Sequence, residues 1–112
     1  MNIETFEEQS VFCFKIIGRL DAVTSEEAEP QIMDQVREGQ GPFLFDISEM
    51  EYISSAGLRV FLATAKEIKR NERRFALCAP NANVRNIFEI SGFASFFPIF
   101  DTFEDGLKQL SG

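Results

Sequence analysis

Residues 43–58 read FLFDISEMEYISSAGL, and the fold turns on how that stretch is divided. Phe43–Ile47 is a short, nearly continuous apolar run, the pattern of a strand buried on both faces. A polar segment follows. From about Ser55 to Asn71 the apolar residues recur with helical spacing, and Leu58, Phe61, Leu62, Ala65 and Ile68 fall on one face. A buried strand that feeds an amphipathic helix through a serine-containing junction is a unit of an α/β sheet.

Working outward, the same alternation continues on both sides. Val11–Ile17 is a β-rich apolar run, and Asn2–Phe6 pairs with it through a polar turn at Glu7–Ser10. Gly18 ends that strand, and Gly18–Asp21 forms a loop. A helix is predicted to start at Thr24, where T-S-E-E has the form of a capping box closed by Glu27, and Ala28, Ile32 and Val36 make its inner stripe. Pro30 removes one backbone donor there, so a kink or a delayed start is expected. Gly39–Pro42 breaks the chain ahead of the central strand. Downstream, Phe75–Ala79 is another strand, and Asn83 caps a helix carrying Val84, Ile87 and Phe88 that Gly92 terminates. Phe96–Phe100 contains Pro98 and belongs at a sheet edge. Thr102 caps a last helix that buries Phe103, Leu107 and Leu110.

The order predicts an α/β fold, a mixed and largely parallel sheet of four to five strands with about four helices, in one domain over residues 1–112. Parallel strands place functional loops at their carboxyl ends, where helix N-termini collect. Two such loops are rich in polar groups, Gly18–Thr24 and Asp46–Gly57.

Composition removes many functions. The chain has no histidine, which excludes a Ser–His–Asp triad, a His-ligated metal and an imidazole base. Nucleophile-elbow, P-loop and dinucleotide-binding signatures are missing as well. No enzyme activity, cofactor or metal is expected. A net charge of −7 argues against direct nucleic-acid binding. The charge is uneven, because six of the 11 basic residues (Arg59, Lys66, Lys69, Arg70, Arg73, Arg74) lie between positions 59 and 74, with only two of the 18 acids. That cluster reads as a solvated helix face or as a docking surface for an acidic partner. Cys13 and Cys78 each sit inside an apolar run and read as buried free thiols. The apolar runs fall far short of the roughly 20 residues a membrane span needs. The first ten residues, MNIETFEEQS, are acidic where a signal peptide is basic. A cytoplasmic protein without membrane insertion, monomeric by itself, is the expectation.

Tyr52-Ile53-Ser54-Ser55-Ala56-Gly57-Leu58 carries the chemistry. Two hydroxyls stand at the start of a helix, followed by small residues that let another backbone approach. A serine here can be an N-cap. A phosphate on it would also lie over free helix amides and the positive end of the dipole, while adding about −1.5 to −2 charges to the surface. Such a change can break a docking interface while barely moving the backbone.

These residues resemble the STAS domain, and in particular the bacterial anti-sigma factor antagonists, whose motif reads Asp-Ser-Ser/Thr-Gly-Leu. Gly18-Arg19-Leu20-Asp21 resembles the family's Gly-x-Leu/Ile-Asp loop, and Val84–Phe93 (VRNIFEISGF) resembles its third-helix signature. The three matches occur in the family's order and at its spacing across essentially the whole chain. Carried over, the phosphoacceptor is Ser55 and the second hydroxyl position is Ala56. The family's leading acid is Ser54 here, a departure that removes a negative charge and leaves Ser54 as a second candidate acceptor. Asp21 matches the loop acid, with the implied role of hydrogen-bonding near the serine. A docking surface made of Asp21, Thr24, Ser54, Ser55, Ala56, Gly57 and Arg59 follows from the resemblance. The implied partners are an anti-sigma factor that is also a serine kinase and a PP2C-like phosphatase. Two alternatives remain: a non-phosphorylated STAS scaffold subunit of a transporter or stress-signalling complex, and a receiver-like domain with Asp46 as acceptor. The second lacks an acidic pair after its main strand, and its only late lysine, Lys108, falls inside the terminal helix.

Overall fold

In the computed structural model, which describes residues 1–111, strand β1 (Asn2–Glu8) runs antiparallel to β2 (Val11–Leu20). All further pairings are parallel. Strand β3 (Phe43–Asp46) lies along Phe12–Lys15 of β2, and β5 (Phe75–Cys78) and the two-residue β6 (Ile99–Phe100) follow it outward. A further strand, β4 (Met50–Ile53), pairs with the end of β2 at Gly18–Leu20. The sheet therefore has six strands, in the order β1-β2-β3-β5-β6 with β4 beside β2. The mixed, largely parallel sheet expected from the sequence is present, with one strand more than expected.

The four helices are α1 (Ala22–Glu38), α2 (Ser55–Arg70), α3 (Ala82–Ile90) and α4 (Phe103–Ser111), with a short 3-10 turn at Phe93–Ser95. Strand alternation assigns the two faces of the sheet. Phe14, Ile16, Phe43, Phe45, Phe75 and Leu77 join the main core, together with Ala28, Ile32 and Val36 of α1, Leu58, Phe61 and Ile68 of α2, and Phe88 of α3. The intervening residues Val11, Cys13, Leu44, Ala76 and Cys78 form a second cluster with Leu107 and Leu110 of α4. Helix α4 approaches this second face closely at Gly106. A Cβ on Gly106 would stand 2.8 Å from a methyl of Leu44 and 3.3 Å from the Cβ of Cys78. Cys13 and Cys78 are both free and buried on this face. Burial, the largest cause, pushes their thiols up to about 11 and about 12, so both stay protonated at neutral pH.

Several local expectations need correction. The strand does not end at Gly18. It continues to Leu20 through a register shift at Gly18/Arg19, where Gly18 takes φ +97°, a conformation that suits glycine. Helix α1 begins two residues before Thr24, capped by Asp21, and Thr24 supplies the N3 half of the capping box that Glu27 was expected to complete. The helix passes through Pro30 rather than starting late. Helix α3 is capped by Asn81 instead of Asn83, and Asn81 also donates its side-chain amide to the carbonyl of Met50. The run Phe96–Phe100 contributes only Ile99 and Phe100 to the sheet edge, and Phe96 is exposed. The Thr102 cap is as expected, its hydroxyl accepting the Asp105 amide at 3.0 Å, and Gly92 follows α3 in the left-handed conformation.

A candidate partner-docking surface at the start of helix 2

The site is built where β2 and β4 end side by side. Their last paired residues are Leu20 and Ile53, and the Ser54 amide donates to the Leu20 carbonyl at 2.9 Å. Helix α1 starts immediately after Asp21 and α2 immediately after Ser54. Two helix N-termini are thus held at one end of the sheet, with the N-terminus of α3 tied to Met50 through Asn81. Each end is capped by a side chain, Asp21, Ser54 and Asn81.

Ser54 and Ser55 have different jobs. Ser54 is the N-cap of α2, its Oγ accepting from the Gly57 amide at 3.3 Å, while the Leu58 amide makes the first helical bond to the Ser54 carbonyl. The amides of Ser55 and Ala56 are left without an intrahelical acceptor. Ser55 itself is the first residue of the helix and is exposed. No hydrogen bond of its hydroxyl is recorded among the described residues. Ser54, the position at which the motif resemblance led us to expect an acid, is therefore a cap, a role both residue types fill.

Gly57 explains the small residues of the motif. It is buried, and a Cβ there would stand 2.7 Å from Ile53 Cγ1, 2.9 Å from the Leu20 carbonyl oxygen and 3.1 Å from Leu20 Cδ2. The closest backbone atom is the same oxygen that accepts the Ser54 amide, so it cannot move without breaking the bond between the two loops. Alanine in place of glycine in a helix is ordinarily favourable by about 1 kcal/mol. Here the clash should outweigh that gain. Gly57→Ala is expected to destabilise the protein by about 1–2 kcal/mol, read as a lower urea midpoint with unchanged slope. A midpoint equal to or above that of the wild type would refute the close approach.

Asp21 does not reach toward the serine. Its Oδ1 accepts from the amides of Val23 and Thr24, both at 3.0 Å, and the Thr24 hydroxyl lies 3.1 Å away. The Thr24 hydroxyl accepts the Asp21 amide at 2.9 Å and also reaches the Arg19 carbonyl at 2.8 Å. The bond from the Thr24 amide is the main reason the Asp21 carboxyl is held below the usual aspartate range. Asp21 thus stays charged beside the start of α2 while fixing the start of α1. Thr24 is part of the same box, Ala56 is half-buried, and Arg59 is exposed one turn along α2.

The structure adds residues that the sequence reading passed over. Val23, 71% exposed, projects from the first turn of α1 next to Asp21, and its place is evident once Asp21 is recognised as the cap. The Arg19 guanidinium lies 4.5 Å from the centre of the Tyr52 ring, joining β2 to β4 below the serines. Asp46, the alternative acceptor, is buried and accepts the Ser48 amide at 3.0 Å. No group of three or more His, Cys, Asp or Glu side chains suited to a metal occurs among the described residues. Among them, too, no helix is long and apolar enough to cross a membrane.

Comparison with known proteins identifies the family and the fold. The STAS domain family profile matches residues 2–106. A protein of Bordetella bronchiseptica, BtrV, which carries the name of an anti-sigma factor antagonist, is 38% identical over 78% of this chain and 75% of its own length. Among solved structures, an anti-sigma factor antagonist from Mycobacterium paratuberculosis has a TM-score of 0.91 and 23% identity, covering 99% of this chain and 94% of that one. The anti-sigma factor antagonist SpoIIAA shares the fold in its unphosphorylated form, with TM-score 0.80 and 18% identity over 96% of this chain and 95% of its own. In its phosphorylated form, from Bacillus, the TM-score is 0.72 with 17% identity, over 96% of this chain and 98% of its own.

Proposed function

The chain belongs to the STAS domain family, among the anti-sigma factor antagonists, and from that premise we propose that it is a partner switch thrown by phosphorylation of Ser55. The observation that carries this reading is the contrast within the serine pair. Ser54 is committed to the cap, whereas Ser55 is exposed in the first turn of α2, at its positive end, where two amides lack an intrahelical acceptor. That SpoIIAA is known in phosphorylated and unphosphorylated forms gives the proposal a precedent in the same fold.

In this reading the unphosphorylated domain works in the cytoplasm and docks on an anti-sigma factor that is also an ATP-dependent serine kinase, through Asp21, Thr24, Ser54, Ser55, Ala56, Gly57 and Arg59. The kinase transfers the γ-phosphoryl group of ATP to Ser55 Oγ. The hydroxyl proton passes to a base on the kinase, and ADP leaves. The new dianion disrupts the interface by desolvation and repulsion, and a PP2C-like phosphatase hydrolyses the ester to restore the hydroxyl. Catalysis belongs to the partners.

The test is to incubate the purified protein with its cognate kinase and ATP and to locate the modification by mass spectrometry. One phosphate on Ser55 is expected, with none on the Ser55→Ala variant. Phosphate on Ser54 instead, or no phosphate with an active kinase, would sink the proposal.

A further inference from the structure

At the other end of α2, about 24 Å from Ser55 by helix rise, lies a groove of about 660 Å³ between the end of α2, the start of β5, the sheet edge at β6 and the end of α4. Its rim carries Lys69, Arg73 and Arg74, and its wall carries Phe96 and Phe100. Phe96 is 53% exposed, a large apolar surface to leave in water.

The three cations are held in place by neutral groups. Lys69 Nζ lies 5.9 Å from the centre of the Phe75 ring. Arg73 donates to the Gln40 side-chain oxygen at 2.6 Å, and Arg74 donates to the Leu110 carbonyl at 2.8 Å, near the negative end of α4. The ion pairs among the described residues are Lys15–Glu49, Arg70–Glu67 and Arg85–Asp101, and none neutralises this rim. In a chain of net charge −7 the groove is thus a locally positive, aromatic-walled site. The charges are positioned, yet among the described residues no carboxylate forms an ion pair with them.

We infer that this groove docks an acidic peptide segment of a partner protein with a bulky apolar residue, whose carboxylates face Lys69, Arg73 and Arg74 while its apolar side chain covers Phe96. Charge complementarity selects the occupant. A polyphosphate chain is disfavoured, because three cations give little counterion release and it has no apolar group to cover Phe96. The groove goes beyond the switch at Ser55, and its distance from that residue lets both surfaces be occupied at once. Its occupancy does not depend on the phosphorylation state.

Fluorescence anisotropy with a labelled peptide, Glu-Glu-Glu-Phe-Leu-Phe-Glu-Glu-Glu, tests this with the full chain at low salt. Saturable binding is expected, weakened about tenfold or more by the K69E/R73E pair and severalfold by F96A, and unaltered by S55D. The milder pair K69Q/R73Q should weaken binding in the same direction, with thermal melts confirming that each variant is folded. Shift perturbations in NMR spectra should gather at residues 69–75 and 94–100. The proposal is overturned by the lack of saturable binding up to about 1 mM, or by equal affinity in the charge-reversed pair. Perturbations centred on residues 54–59, or equal or tighter binding of single-stranded DNA of matched charge, would overturn it as well.

Discussion

Phe61→Ala should cost about 3–5 kcal/mol of folding stability. Phe61 is 2% exposed and sits halfway along α2. Its ring meets Phe45 of β3 at 5.7 Å, Phe88 of α3 at 6.0 Å and Phe97 ahead of β6 at 6.4 Å, each edge-to-face. Phe88 and Phe97 also meet each other at 5.7 Å. Truncation therefore removes buried area, a cavity's worth of packing and three favourable ring geometries, each worth about 0.5–1.5 kcal/mol beyond burial. Domains of this size have only about 5–15 kcal/mol in total. A fall in melting temperature on the order of 15 °C is expected. Phe61→Leu keeps most of the volume and should lose about half as much. A melting temperature within a few degrees of the wild type for Phe61→Ala would mean that neighbouring rings refill the space.

The web around Phe61 also explains why so much of the architecture was legible. Thirteen phenylalanines and one tyrosine supply all of the aromatic side chains, so the apolar runs of the strands and the helical stripe of α2 could be read directly. What could not be read was decided by competition between neighbouring caps and by a strand of four residues. Asp21 and Thr24 are both good N-caps, and so are Asn81 and Asn83. Only the tertiary position of the preceding strand end chooses between them, because β2 continues to Leu20 and α3 is held by the bond from Asn81 to Met50. Strand β4, M-E-Y-I, has too few residues to show a period, and it exists because the end of β2 extends past β3 and offers it a partner. At the candidate site the motif assigned the acceptor to Ser55 and left Ser54 as a second candidate, yet it did not tell which serine caps the helix. That distinction comes from one hydrogen bond, Gly57 N–H to Ser54 Oγ.

That hydrogen bond makes the two serines separable by experiment. On the proposed switch, Ser55→Asp should lower affinity for the kinase partner by a few hundredfold, about 3–4 kcal/mol at ~1.4 kcal/mol per tenfold, while leaving the fold intact. The carboxylate at the first helical position interacts favourably with the dipole and the free amides, worth about 0.3–1 kcal/mol at low salt. Stability should therefore hold or rise slightly as binding collapses. Ser54→Ala should do the reverse, losing about 0.5–2 kcal/mol of stability with the cap while Ser55 remains available to be phosphorylated. Ser55→Ala should bind and melt like the wild type and accept no phosphate. Calorimetric titration against the partner, paired with thermal melts of all three variants, reads both quantities. A Ser55→Asp protein that binds as tightly as wild type would defeat the switch. One that loses binding only because it has unfolded would defeat the claim that the helix start tolerates the charge. The two failures are distinguishable because stability at this junction rests on Ser54 and Gly57, and the proposed signal rests on Ser55.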